Sequence, residues 1–67
     1  MNVDEAQMFK TCLGLVNTEV TIVNSRTGKQ LTGKLTNTMF DSLLVESLGK
    51  VSVVRFEDIY TIEPKRN

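Results

Sequence analysis

From Thr18 to Ile62 the chain is a succession of short segments in which apolar residues recur at every second position, each closed by turn-forming residues. A period of two puts alternate side chains on opposite faces of an extended backbone, and several such runs in so short a stretch predict a small antiparallel β-structure. Val20 and Ile22 alternate with Thr21, giving a strand over about 19–24, after which Ser25, Arg26, Thr27, Gly28 and Lys29 supply a turn. Leu31, Gly33 and Leu35 alternate with Thr32, Lys34 and Thr36 in a second strand, about 30–38, where Gly33 lets the strand bend sharply. A third run covers about 43–47, and Leu48, Gly49 and Lys50 form a tight turn. A fourth covers about 51–55, with Val51 and Val53 on one face, and Ile59 to Ile62 make a short fifth. Pro64 is expected to stop that strand, leaving Lys65 to Asn67 as a polar end with no evident role.

Before Thr18 the period is helical. Over about 3–13, Asp4 and Gln7 have capping-box spacing, Ala6, Phe9 and Leu13 share a face, and Gly14 suits a left-handed C-terminal cap. Met8, Phe9, Cys12 and Leu13 are expected to pack on the sheet, Cys12 as a buried filler. The fold class is therefore all-β with a short N-terminal helix: one domain over residues 1–67, a five-stranded, strongly bent small barrel of SH3-like or OB-like layout.

A domain of 67 residues buries only about 60% of the surface its unfolded chain exposes, so its core is marginal without a staple. Cys12 is the sole cysteine and there is no histidine, which excludes an internal disulfide and argues against a zinc site or other cofactor. Association with further copies is the expected remedy. Eight Lys and Arg balance eight Asp and Glu, so no global field draws the chain to a polyanion and any such site must be local. No apolar run has the length of a membrane helix and no signal-peptide pattern opens the chain, so a cytoplasmic location is expected. No residues are arranged for acid-base or nucleophilic catalysis, and Glu46, Glu57, Asp58 and Glu63 read as solvated surface. The chain is expected not to be an enzyme.

Two stretches carry a resemblance. Val20-x-Ile22, Gly28, Gly33-x-Leu35, then Phe40-Asp41 before Leu43-x-Val45, resemble the first half of the Sm-like motif. Val53-Val54-Arg55-Phe56-Glu57-Asp58-Ile59-Tyr60-Thr61-Ile62 is similar to its closing half, with Phe56 where the family usually has glycine. The resemblance implies a ring-forming scaffold, of about five to seven copies, that binds single-stranded RNA, or DNA, at inward-facing loops. Strand four of one copy (Val51, Val53) would pair with strand five of the next (Ile59, Tyr60, Ile62).

A splayed base needs a flat partner, a group that reads its edge and a cation near the backbone. Phe40 is the expected stacking platform, Asn37 and Asp41 the edge readers and Arg55 the cation, with Lys34 and Lys50 as secondary phosphate contacts. Each has a structural alternative: Phe40 as a plug of the barrel end, Asp41 as a turn cap, Asn37 as a strand-end residue, and Arg55 as the partner of Glu57 or Asp58. A protein-interaction barrel or a purely structural oligomer is the alternative function; four aromatic residues without tryptophan would make a poor peptide groove.

Overall fold

The computed structural model describes residues 3–65, with side chains from Ala6 onward. Helix α1 (Val3–Leu13) precedes β1 (Glu19–Asn24), β2 (Gln30–Thr38), β3 (Ser42–Ser47) and β4 (Lys50–Arg55), and a 3-10 turn (Phe56–Asp58) leads into β5 (Ile59–Pro64). The strands form one antiparallel sheet in the order β4-β3-β2-β1-β5.

The inward row of the alternating pattern becomes the core. Val20 and Ile22 of β1, Leu35 of β2, and Leu43 and Val45 of β3 are joined there by Cys12, Phe56 and Ile59. Their burial removes apolar surface from water at about 25 cal/mol per Å², the main favourable contribution in a domain this small. Among the described residues no buried side-chain nitrogen or oxygen lacks a hydrogen-bond partner.

β2 changes partner along its length. Gln30 to Lys34 pair with β1, while Lys34 to Thr38 pair with β3, with a bulge between Leu35 and Asn37. At the change of partner the β3 backbone passes over Gly33 so closely that an added Cβ would strike the Glu46 carbonyl and lie 2.8 Å from Val45 Cγ1. Glycine is needed here for space, and the close passage lets the sheet coil around its own core.

The closed barrel expected from the sequence is not formed within the chain. β4 pairs only with β3 and β5 only with β1 among the described residues. The three-residue 3-10 turn sends the chain from β4 across to β1 rather than back along β4, and Phe56, at that turn, is buried in the core.

Three local expectations also change. Gly14 does not take the left-handed conformation; its N–H continues the helical pattern onto the Lys10 carbonyl at 3.3 Å, and the chain reverses at Asn17, φ 72°. The docked helix face is Met8, Phe9 and Cys12, continued by Leu15, whereas Leu13 is 53% exposed and Ala6 is exposed. Pro64 lies inside β5, opposite Val20, at an outer strand that tolerates a missing N–H. Lys65 fastens the end of that strand to β1, its N–H donating to the Glu19 carbonyl at 2.8 Å and its ammonium pairing with the Glu19 carboxylate at 3.4 Å. The Asp4 half of the capping box lies outside the described side chains, and Arg66 and Asn67 lie outside the described residues.

The β3–β4 hairpin closes through Leu48 and Gly49, φ 54° and 80°, between the paired Ser47 and Lys50. Positive φ at both loop positions is the geometry that Asn-Gly fills without strain, and a leucine there costs about 1 kcal/mol. Leu48 is fully exposed and makes no packing contact to offset this. Leu48→Asn should therefore raise unfolding free energy in urea by about 1 kcal/mol. Gly33→Ala should lower it by about 3 kcal/mol, the upper end of overpacking penalties, in the same measurement.

Candidate nucleic-acid interface

The expected site residues divide into two groups. Asn37, Phe40, Asp41 and Arg55 gather at one end of the sheet, because the residue pairs Asn37–Leu44 and Ser42–Arg55 set the end of β2, the start of β3 and the end of β4 side by side. Lys34 and Lys50 lie away from them, Lys34 beside Glu46 and Lys50 opposite Ser47 at the β3–β4 hairpin.

The β2–β3 connection, Met39 to Asp41, is held tightly. Met39 N–H donates to the Ser42 carbonyl at 2.7 Å, and the Thr38 hydroxyl donates to the Met39 carbonyl at 3.2 Å. Phe56 N–H donates to the Asp41 carbonyl at 2.9 Å, tying this loop to the 3-10 turn between β4 and β5. The Ser42 hydroxyl, which is buried, faces an Asp41 carboxylate oxygen at 3.2 Å. Asp41 thus braces its turn through one oxygen, as its structural alternative required, while its side chain stays exposed.

Phe40 is 78% exposed and does not plug the sheet end. Its ring lies against Phe9 of α1, with centroids 5.0 Å apart and planes inclined by 30°. Asn37 Oδ1 accepts the Thr38 N–H at 2.9 Å, which leaves the amide NH₂ and the second lone pair of that oxygen to meet a ligand. Arg55 Nε lies 3.6 Å from Glu57 Oε1, and both side chains are about two-thirds exposed (62% and 67%). An exposed pair of this kind contributes about 0–1 kcal/mol, so the guanidinium remains free to meet an incoming phosphate. Asp58 is engaged elsewhere: it pairs with Arg26 at 3.5 Å, and its carbonyl accepts the Ser25 N–H at 2.7 Å. The β1–β2 turn is thereby fastened to the 3-10 turn, a contact between residues distant in sequence that no local pattern announces.

The expected interface residues also separate. Val51, Val53 and Tyr60 are exposed on the outer strands β4 and β5, whereas Ile59 lies in the chain's own core and Ile62 is half-buried against it. Beside β5 runs an open groove of about 420 Å³, walled by Gln7, Met8 and Thr11 of α1 and by Tyr60 and Ile62.

Cys12 is buried, with the Thr38 side chain near enough to act on its thiol. Desolvation pushes the thiol pKa up, and the Thr38 contact opposes this only in part. No group of three or more metal-ligating side chains stands together among the described residues, and no helix there is long and apolar enough to cross a membrane. No protein-family model matches the chain, and no curated protein is significantly similar to it.

Because the thiol pKa is higher folded than unfolded, the unfolded chain releases this proton first as pH rises. The contribution is complete below the ordinary thiol range and is lost as pH climbs through it. Urea midpoints measured across pH 7 to about 10 should fall more steeply for the wild type than for Cys12→Ala, whose overall stability is lower.

Proposed function

We propose that the chain is a non-enzymatic Sm-like subunit that assembles into a homo-oligomeric ring and binds single-stranded RNA, or DNA, at the joined β2–β3 loop and β4–β5 turn. The observation that carries this reading is the Phe56 N–H to Asp41 carbonyl bond, which brings an exposed aromatic ring, a carboxylate and an arginine to one end of the sheet. These are the three groups a splayed base and its phosphate require.

The ring reading draws support from the two outer strands. Among the described residues each leaves a row of backbone donors and acceptors without a strand partner, and each carries exposed apolar side chains, Val51 and Val53 on β4 and Tyr60 on β5. Such edges invite pairing with another copy unless they are covered. Addition of β4 of one copy to β5 of the next is a head-to-tail contact, which closes when its rotation is a simple fraction of a turn. The groove between α1 and β5 then receives the valines of the incoming strand. A ring also multiplies each site, so a chain with no net charge presents one Arg55 per subunit around a common opening.

Light scattering at micromolar concentration should give a defined oligomer; a monomer there overturns the ring. Binding to labelled poly-U and poly-A oligonucleotides should weaken as salt rises. Arg55→Ala should lower the slope of log K against log salt by roughly 0.7 for each phosphate it no longer meets, while leaving folding stability within about 1 kcal/mol. Phe40→Leu should reduce affinity by about 1–3 kcal/mol with the slope kept, because stacking releases no counterions. An intact oligomer that binds neither oligonucleotide would be a structural assembly instead.

A further inference from the structure

We propose that helix α1 belongs to the binding site: Phe9 is a positioning residue whose ring backs Phe40 and holds it as a ready-made stacking platform. This inference rests on the reading of Met39 to Asp41 as the nucleic-acid loop.

A phenylalanine at the tip of a short exposed connection ordinarily samples several rotamers. Fixing such a side chain on binding lowers affinity by about two- to tenfold. Phe40 is spared much of that loss. One face meets Phe9 at 5.0 Å in a tilted arrangement within the favourable range for aromatic pairs, yet 78% of the residue remains accessible. The supported ring thus keeps surface free for a base.

The helix grips the loop at a second point. Cys12, three residues after Phe9 and so on the same helix face, is buried with the side chain of buried Thr38, two residues before Phe40, beside its thiol. One stripe of α1 therefore touches both the root and the tip of the connection. The backbone between them is closed by the Met39 and Phe56 N–H bonds, which leaves the Phe40 side chain as the part still in need of restraint. Phe9 itself is half-buried against the core, so its position is set by packing before any ligand arrives.

The test is a double-mutant cycle read by oligonucleotide affinity, using labelled poly-U and poly-A, with oligomer size checked for every variant. Phe9→Leu keeps an apolar side chain on the core but removes the ring. It should weaken binding by about two- to tenfold, with the salt slope unchanged. In a Phe40→Leu background the same substitution should cost nothing further, and Phe9→Tyr, which restores a ring, should recover the wild-type affinity. Equal losses in both backgrounds would show a merely structural helix, and an unchanged affinity for Phe9→Leu would remove Phe9 from the site. Either result, with the wild type still binding, overturns this inference alone. A wild type that binds neither oligonucleotide overturns the underlying reading and the inference with it.

Discussion

The shape of this domain turns on the absence of one side chain. Where β2 changes partner, the β3 backbone passes over Gly33 at a distance that excludes even a methyl group. That passage lets a single sheet curl enough to wrap its own apolar row, which 67 residues would otherwise be too few to enclose between two layers. The connection between β2 and β3 lies at the opposite end of β3, beside Arg55, the last residue of β4, because Ser42 pairs with Arg55 there.

The strand reading of the sequence succeeds because the alternation of the core-forming strands is regular and two of the turns carry a glycine. Gly28 and Gly49 take positive φ where turns require it, and the alternation of Val20 with Ile22 and of Leu43 with Val45 maps directly onto the core. What sequence pattern missed was decided by distant packing. Leu13 is expected from the sequence to pack on the sheet beside Cys12, yet of the two only the thiol lies beneath it and the leucine faces outward. Phe56, standing where the resembled motif has glycine, is buried in the core at the turn between β4 and β5. The Phe9–Phe40 contact joins residues thirty-one positions apart, and no periodicity within either segment encodes it.

The candidate site shows how much chemistry a neutral chain can concentrate. Asn37, Phe40, Asp41 and Arg55 come from two separate stretches, and only backbone hydrogen bonding unites them. Asn37 and Asp41 each commit one oxygen to their own loop. This stiffens the connection and uses part of what each side chain offers, Asn37 keeping both donors and one lone pair and Asp41 its remaining acceptor sites. The sequence shows that these residue types are present; the remaining valence of each is visible only once the turn is drawn.

The pairing of β1 with β5 has a consequence for the order in which the structure can be assembled. β1 with β2, β2 with β3 and β3 with β4 are joined by short connections, each a hairpin that closes on the microsecond scale of local events. β5 is the exception, since it reaches back past three strands to lie beside β1, and Lys65 fastens that return to Glu19. Its closure entropy must be met before its contacts reward it, which makes this seam the slow step of an otherwise local topology. Until the seam closes, β1 and β5 both present open edges to neighbouring chains. Folding and any pairing of these open edges with another chain thus compete for the same backbone groups, and concentration during folding decides which is reached first.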